Sequence, residues 1–320
     1  MGHVDVQVSK CGGAEGRTHG DSLCLCTRLI RAFPSLPPEG RRQRPPTLGA
    51  LWPCPEAVSW PMHYAALASG SKGNCHALSA EGQTLLIDAG VSLRQIRQRL
   101  EVLGMDPESV RAVALTHEHS DHIGALGVIL RRTEWAILAT AATREAAGRA
   151  QGGEIPASRW IEVAAGRPAD WNGWRILPFA LPHDAEDPVA FRVEAGGVAA
   201  AVVTDLGHPT ALVADHLQDL DLLVLEANHD VDMLREGDYP PQLKARILSR
   251  VGHLSNAAMA ELLGRALSPR LKQVVLAHLS ESNNDPGLAR FAAEEILLGT
   301  PVALHVAHQR ESLALSPVVA

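Results

Sequence analysis

One stretch decides the fold of this chain: Thr116-His117-Glu118-His119-Ser120-Asp121-His122. It follows an apolar run that predicts a strand over Ala112–Thr116, and it precedes a pattern that predicts a helix over residues 121–131. The histidines and the aspartate are therefore expected on a tight loop at the carboxyl end of a strand. Imidazole is a common zinc ligand, and carboxylates widen the choice of metal to manganese or iron.

The spacing within this stretch fits two metal ions. Residues two apart in a strand-end loop can share a direction, so His117 and His119 are predicted to bind one ion. Asp121 and His122 stand at the start of the predicted helix, where they can face a second ion. A polar run that only caps a helix is the alternative, but three histidines and an aspartate in six residues indicate a metal site.

Two ions need further ligands, and the later sequence offers His183, Asp205 and His278. Each follows a predicted strand: Arg175–Leu181, Val198–Thr204 and Gln273–Ala277. A lone strand-end histidine is more often structural, so none of these residues is convincing by itself. Together with the clustered motif, they supply the missing ligands.

Hydrophobic patterning predicts strands and turns early in the chain and alternating strands and helices later. Further strands are predicted at Tyr64–Ala68, Cys75–Ser79, Thr84–Asp88, Ala136–Ala139, Ala190–Glu194 and Leu222–Glu226. Helices are predicted at Ser92–Leu103 with Ser92 as the N-cap, Pro209–His216, Gln242–Leu248, Asn256–Ala266 and Pro286–Leu297. Two packed sheets with helices outside them satisfy both halves of this pattern.

The motif His-x-His-x-Asp-His, followed by a separate His, Asp and His, resembles the ligand series of the metallo-β-lactamase superfamily and its phosphodiesterase branch. The resemblance covers essentially residues 62–320 and implies an α/β fold, the four-layer αββα sandwich. It implies the following ligand set: His117, His119 and His183 for one ion, Asp121, His122 and His278 for the other, and Asp205 between them. Asp88 matches an early aspartate of the family that orients a ligand.

Several further stretches resemble the YycJ (WalJ) group of that superfamily. They are Leu67–Cys75, Pro182–Ala185, Thr204–Gly207, Leu225–Asp230, His253–Asn256 and His278–Asn284. The group consists of DNA exonucleases that act from the 5′ end and favour single strands. The resemblance therefore implies a metal-dependent phosphodiesterase, with a metal-bridging hydroxide as the nucleophile and single-stranded nucleic acid as the substrate.

Glu226 and His253 also resemble a paired glutamate and histidine of the tRNase Z pattern. Leu225 and Asn228 depart from that pattern, and no counterpart of the long tRNA-gripping arm is evident, which argues against tRNA processing. We interpret Glu226 as orienting His253, which protonates the leaving group, with His229 as the alternative donor. Asp121 is predicted to be catalytic through the ion that it binds.

Substrate contacts are predicted on two loops. The glycine-rich loop after the first strand offers hydroxyls, an amine and backbone amides for a phosphate, although it also reads as a simple hairpin turn. The loop after His278 either contacts substrate or begins the helix at Pro286. The candidate residues are Ser69, Ser71, Lys72, Asn74, Ser280, Asn283 and Asn284.

The composition sets outer limits on function. The chain has 320 residues, a formal charge of −7 and 46% hydrophobic residues, which is globular and argues weakly against a large basic nucleic-acid groove. No apolar run is long enough for a membrane span, and the five cysteines do not suggest a disulfide framework. We therefore expect a cytoplasmic protein with no membrane association; the sequence leaves its oligomeric state open.

Residues 1–61 differ from the rest of the chain. They are rich in proline, contain a basic cluster at Arg41–Arg44 and have little hydrophobic periodicity, so we predict a disordered extension. The ordered pattern begins at Met62, which suggests that the natural start lies there and that residues 62–320 form the hydrolase domain.

Two rival functions remain from the sequence. A small-molecule hydrolase, either a cyclic phosphodiesterase or a thioester hydrolase, would use the same metals and is favoured somewhat by the scarcity of basic residues. A metal-binding module without catalysis is the third reading. For the cofactors, two divalent ions are expected, with zinc as the first choice and manganese or iron as alternatives.

Overall fold

The computed structural model describes residues 61–319. The prediction that residues 1–61 are a disordered extension concerns a segment that lies, apart from Pro61, outside the described residues. It stays a prediction, as does the proposed start at Met62.

The described strands in chain order are β1 (His63–Ala68), β2 (Cys75–Ala80), β3 (Gln83–Ile87), β4 (Val110–Ala114), β5 (Ala136–Ala139), β6 (Trp160–Glu162), β7 (Ala169–Trp171), β8 (Trp174–Ala180), β9 (Val189–Ala195), β10 (Val198–Val203), β11 (Leu222–Glu226), β12 (Gln273–Ala277), β13 (Ala303–Val306) and β14 (Leu313–Ala314). The described helices are α1 (Leu93–Val102), α2 (Ser120–Ile123), α3 (Leu126–Arg132), α4 (Ala141–Gln151), α5 (Ala211–His216), α6 (Val231–Glu236), α7 (Pro241–Ile247), α8 (Asn256–Ala266) and α9 (Pro286–Leu297). A single 3₁₀ turn, Pro107–Ser109, precedes β4.

The strands form two seven-stranded sheets of the same design. The first has the order β14-β1-β2-β3-β4-β5-β6 and the second β13-β12-β11-β10-β9-β8-β7. In the first sheet β1, β2 and β3 pair antiparallel and β3 to β6 pair parallel. In the second, β7 to β10 pair antiparallel and β10 to β13 pair parallel. Each sheet therefore presents several strand carboxyl ends at one edge.

Three apolar cores hold the layers together. The central core lies between the two sheets and includes Tyr64, Trp174 and Phe191. A second core packs one sheet against α5, α8 and α9, and a third packs the other sheet against α1, α3 and α4. The result is helices, sheet, sheet, helices, which confirms the predicted four-layer αββα sandwich. Alanine, valine, leucine and isoleucine fill most of these cores, because aromatic residues make up only 4% of the chain.

Most predicted elements lie where the pattern placed them. Strands β5, β11 and β12 and helices α8 and α9 have the predicted bounds. Ser92 is the N-cap of α1 and forms a capping box, since its hydroxyl accepts from the Gln95 amide while the Gln95 side chain accepts from the Ser92 amide. The sequence patterns did not indicate α4, α6 or the short strands β6, β7, β13 and β14.

The single helix predicted over residues 121–131 is wrong, because the chain forms α2 and α3 with a break at Gly124 and Ala125. The Asp121 carbonyl accepts a hydrogen bond from the Asn74 amide at 2.7 Å. The Ala125 amide donates instead to the Ala89 carbonyl at 2.8 Å. These two bonds to neighbouring loops replace the helical hydrogen bond between residues 121 and 125. As a result α2 ends and α3 begins as a separate helix.

No helix among residues 61–319 is long and apolar enough to cross a membrane. Cys75, the one cysteine in this range, is a buried free thiol in the core beneath α1.

Asp221 joins three strands of the second sheet at their amino ends. Its Oδ2 accepts from the Ala199 amide at 2.8 Å and from Arg270 Nη2 at 2.6 Å, and Lys272 Nζ lies 3.1 Å from Oδ1. Burial raises the pKa of Asp221, but the Arg270 hydrogen bond and the other donors outweigh it, and the pKa lies below its usual value. A carboxyl with a lowered pKa stabilises the folded state above its unfolded pKa.

We expect Asp221→Asn to lower the free energy of unfolding at neutral pH by about 1–3 kcal/mol, because it removes the charge that Arg270 and Lys272 neutralise. Urea unfolding at pH 7 measures this difference, with the exposed Asp170→Asn as the control. The difference in unfolding free energy should shrink as pH falls below about 4, because the carboxyl of the unfolded chain takes up a proton there before the folded one does. A difference independent of pH would contradict the role given to the charge.

Candidate metal centre

The predicted ligands come together at the carboxyl ends of strands from both sheets. His117 follows β4 in the first sheet, whereas His183, Asp205 and His278 follow β8, β10 and β12 in the second. Burial is nearly complete for these four residues, each with at most 6% of its surface exposed. His119, Asp121 and His253 are only partly covered and face an open cleft of about 390 Å³. Among the buried four, Asp205 and His278 line the floor of the cleft, and the partly covered residues form its rim.

Three histidines converge in the first group. His119 Nδ1 lies 2.9 Å from His117 Nε2 and 3.3 Å from His183 Nε2. The far nitrogens of the other two rings have partners: His117 Nδ1 lies 2.9 Å from the Thr116 hydroxyl, and His183 Nδ1 donates to the Gly252 carbonyl at 3.1 Å. Because these bonds fix the rings, one nitrogen of each histidine is directed into the group.

A second group contains Asp121, His122 and His278. Asp121 Oδ2 lies 3.5 Å from His122 Nε2 and 3.7 Å from His278 Nε2. Asp205 stands between the two groups, with Oδ2 at 3.1 Å from His122 Nε2 and Oδ1 at 3.7 Å from His183 Nε2. Its two oxygens therefore reach one member of each group.

Asp88 orients His122, a member of the second group, through hydrogen bonds. His122 Nδ1 lies 2.7 Å from Asp88 Oδ2, so the imidazole donates to the carboxylate and directs Nε2 into the group. The same carboxylate accepts from the Thr116 amide and from the Thr116 hydroxyl, each at 2.8 Å. Asp88 thus ties His122 to the beginning of the histidine loop.

Glu226 supports His278 and His253 together. Its Oε1 accepts from Nδ1 of each imidazole at 2.9 Å, which leaves both Nε2 atoms directed away from it. Its Oε2 accepts from the Leu206 amide at 2.6 Å and the Leu254 amide at 3.2 Å. A fully buried carboxylate thereby gains four donors, which offset the cost of removing its charge from water.

The carboxylates and imidazoles of the cluster shift one another's pKa values. Burial raises the pKa of Asp121 and Glu226, but neighbouring imidazoles outweigh burial and lower both pKa values. The pKa of Asp205 is also lowered despite burial, through His278 and His122. Conversely, burial lowers the pKa of His278, but Asp205 and the other carboxylates raise it well above its usual value. The carboxylates are therefore ionised and can balance positive charge, either on the imidazoles or on a bound cation.

The donor set fits divalent ions. Asp205 Oδ2 and His278 Nε2 are buried, and neither atom makes a hydrogen bond of good geometry among the described residues. Buried polar atoms without partners cost free energy, and a metal ion would satisfy both. Two sets of three, His117-His119-His183 and Asp121-His122-His278, each offer ligand atoms within 4.8 Å of one another. Imidazole nitrogen and carboxylate oxygen are the donors that zinc, manganese and iron accept.

Three residues of the candidate site have left-handed backbones. Asp88, Asp205 and His278 have φ values of 62°, 60° and 56°, and each follows a strand directly or after one residue. This conformation is uncommon outside glycine, and it turns the chain sharply at the strand end. A backbone cost of about 1–3 kcal/mol at each position is offset by the buried hydrogen bonds around it.

Only some of the predicted substrate residues reach the cleft. Ser71 and Ser280 line it. Lys72 is exposed and forms an ion pair with Glu281. The other candidates hold the loops in place: the Ser69 hydroxyl accepts from the His278 amide at 2.8 Å, and Asn74 Nδ2 lies 3.2 Å from His122 Nε2.

Asn283 and Asn284 are also buried rather than presented to the cleft. Asn284 donates to the Ala227 carbonyl at 2.8 Å and exchanges hydrogen bonds with Asn256. The Asn283 amide donates to the Ser280 hydroxyl at 3.1 Å. Both residues hold the loop after β12 against its neighbours.

His253 and His229 differ in their access to the cleft. His253 lines it beside Asp205 and His278. His229 is 2% exposed, does not line the cleft, and has a buried Nδ1 without a partner among the described residues. Burial lowers the pKa of His229 to about 4.

The sequence reading missed one wall of the cleft. Tyr239, Leu243 and Arg246 also line it. Leu243 and Arg246 belong to α7, an element that the pattern predicted without assigning it a role, and Tyr239 precedes that helix. Because Tyr239 lies outside the helix, no helical spacing in the sequence joins it to the other two residues.

We expect Asp88→Asn to weaken the binding of divalent metal about 10- to 100-fold, because the amide cannot accept from His122 and the Thr116 donors as a carboxylate does. Calorimetric titration of zinc, and separately of manganese, into chelator-treated protein measures the change. Asp215→Asn, an exposed substitution on α5, serves as the matched control. Equal affinities in wild type and Asp88→Asn would show that Asp88 does not support a metal ligand.

Comparison with known proteins agrees with this geometry. Residues 83–279 match the β-lactamase superfamily domain. The exodeoxyribonuclease WalJ of Streptococcus pneumoniae is 37% identical over 227 residues, which cover 71% of this chain and 84% of that protein. The exodeoxyribonuclease YycJ of Bacillus anthracis is 33% identical over 236 residues, covering 74% and 89%. The metallo-β-lactamase fold protein YhfI of Bacillus subtilis shares the fold, with a TM-score of 0.61, 17% identity, and coverage of 80% of this chain and 100% of that one.

Proposed function

The chain belongs to the β-lactamase superfamily, and from this premise we propose that it is a metal-dependent exonuclease that degrades single-stranded DNA from the 5′ end. Support comes first from the two exodeoxyribonucleases, which are 33–37% identical over most of their length. A cluster of histidines and ionised carboxylates at the base of an open cleft supplies the chemistry that a phosphodiesterase needs. The reaction is placed in the cytoplasm, since the cysteine usage does not suggest an oxidised protein.

The proposed ligand sets follow the two groups described above. His117, His119 and His183 hold one divalent ion, Asp121, His122 and His278 hold the other, and Asp205 contributes to both. Zinc is the first choice, with manganese or iron as alternatives. When bound, two such ions lower the pKa of water and neutralise charge that develops on the phosphate.

His253 is the proposed proton donor to the leaving oxygen. Glu226 accepts its Nδ1 proton, so Nε2 is the nitrogen available to the cleft. The pKa of His229 is about 4, and this residue would be neutral and buried near pH 7. A neutral buried imidazole is a poor general acid, so the alternative role for His229 is the weaker proposal.

A small-molecule hydrolase is the second candidate. The cleft is compact, and among its described lining residues Arg246 is the sole arginine or lysine. The net charge of −7 adds no general attraction for a polyanion. A cyclic phosphodiester or a thioester is small, so it would need only the metal-binding groups and a few neighbouring side chains of the cleft.

Asp121→Ala should abolish hydrolysis of single-stranded DNA while the fold stays intact, because Asp121 lies on the cleft rim and not in an apolar core. The measurement follows 5′-labelled and 3′-labelled strands with the zinc-loaded and manganese-loaded protein. With a 5′ label, the labelled product should be short from the earliest time points. With a 3′ label, the labelled strands should become progressively shorter with time. Asp170→Asn is the control for both labels.

The reverse pattern of products would contradict the proposed polarity. Hydrolysis of bis-p-nitrophenyl phosphate with DNA and RNA both left intact would replace the exonuclease by the small-molecule hydrolase. Full activity of Asp121→Ala in metal-controlled buffer would refute the ligand assignment itself.

His253→Ala should lower kcat on DNA about 10²- to 10⁴-fold, because the leaving alkoxide needs a proton. The same variant should hydrolyse bis-p-nitrophenyl phosphate almost as fast as wild type, since nitrophenolate leaves without one. Equal losses on both substrates would show that His253 supports the site in another way. Circular dichroism and metal content of the variant serve as controls for folding and loading.

A further inference from the structure

The wall of the cleft formed by Tyr239, Leu243 and Arg246 has a composition suited to a nucleotide. Among the described residues that line the cleft, Tyr239 is the sole tyrosine, tryptophan or phenylalanine, and Arg246 is the sole arginine or lysine. Leu243 lies between them in sequence and belongs to α7 with Arg246, whereas Tyr239 precedes that helix. An aromatic ring, an aliphatic side chain and a guanidinium thus share the cleft with the groups that would bind the scissile phosphate.

Helix α7 is fixed relative to those groups by close backbone packing. A Cβ atom at Gly252 would lie 2.2 Å from the Ile247 carbonyl oxygen, and one at Gly207 would lie 2.3 Å from the Arg250 carbonyl oxygen. Only glycine allows these approaches. The Gly252 carbonyl in turn accepts from His183 Nδ1, so the end of α7 and a predicted metal ligand form one connected unit.

Arg246 is held by Asp184, the residue that follows the ligand His183. Its Nε lies 2.5 Å and its Nη2 lies 3.1 Å from the two carboxylate oxygens, which is a bidentate pair. This pairing uses one edge of the guanidinium and leaves Nη1 available. Since half of the side chain remains exposed, the free donor is accessible to a phosphate in the cleft.

We propose that Tyr239, Leu243 and Arg246 form a subsite for one unpaired nucleotide, in which the base packs on Tyr239 and Leu243 and the adjacent phosphate binds Arg246. This subsite rests on the proposed nuclease function and deepens it, because it names the groups that select a single strand. A base in a duplex is already stacked and paired, so only an unpaired base can lie on this wall.

The subsite assigns different roles to its two polar members. Aromatic stacking is tolerant of sequence, so Tyr239 should recognise any base. Arg246 should contribute charge, and its planar, paired guanidinium cannot be replaced by lysine without loss of the Asp184 contact. The two contributions can therefore be separated by removing a base or by changing the salt concentration.

The test measures equilibrium binding of fluorescent single-stranded DNA by anisotropy, in the inactive Asp121→Ala background, so that no turnover occurs. One nucleotide at a time near the 5′ end is made abasic. At one position, loss of the base should weaken binding. Adding Tyr239→Ala should weaken binding of normal DNA by about 5- to 150-fold. In that double variant, normal DNA and the strand that is abasic at this position should bind equally well. Tyr239→Phe, which keeps the ring, should bind like the background protein.

Arg246→Gln should weaken normal and abasic strands equally and should reduce the slope of log affinity against log salt by about 0.7, the value for one phosphate on a single strand. Two results would overturn the subsite. One is an unchanged salt slope in Arg246→Gln, and the other is a loss of affinity in Tyr239→Ala that is equally large for normal DNA and for every abasic strand. In the Asp121-containing protein, Tyr239→Ala should raise KM for single-stranded DNA.

Failure of the nuclease proposal would look different. If the wild type leaves DNA intact but binds it with the base dependence described above, the subsite stands and the activity is misassigned. If DNA is hydrolysed but no position shows a base effect that depends on Tyr239, the activity stands and the subsite is wrong.

Discussion

The buried carboxylate of Glu226 is the interaction on which the site depends most. One of its oxygens fixes His253 and His278, and the other binds the amides that follow Asp205 and His253. Three loops, those after β10, before α8 and after β12, therefore meet at one charge. Removing that charge from water is favourable only while all of these donors remain, so each loop constrains the others.

The sandwich architecture makes this convergence possible. Parallel strands of both sheets end at the same side of the molecule, and the loops after β3, β4, β10 and β12 meet there. Left-handed residues at Asp88, Asp205 and His278 turn these loops at the strand ends. A rigid apolar core thus positions polar side chains that would otherwise repel one another or remain unsatisfied.

Sequence reasoning selected the clustered histidines and the isolated strand-end residues that the fold brings together, because strand ends are recognisable from short apolar runs followed by polar residues. It missed α4, which is rich in alanine and has a weakly apolar face, and the three-residue strands β6 and β7, which are too short to show a period. It placed Asn74 and Asn284 among the substrate contacts, yet both are buried, because a polar residue near a ligand can equally support the loop. Tyr239 and Arg246 were missed since only the fold brings α7 to the cleft.

The central claim is that the two groups of ligands act together as one dinuclear centre. Adding zinc or manganese stepwise to chelator-treated protein, while following nucleotide release from single-stranded DNA, tests it most directly. The account predicts that two ions bind per chain and that activity rises steeply only with the second equivalent. Full activity after one equivalent, or activity that persists without added metal, would contradict it.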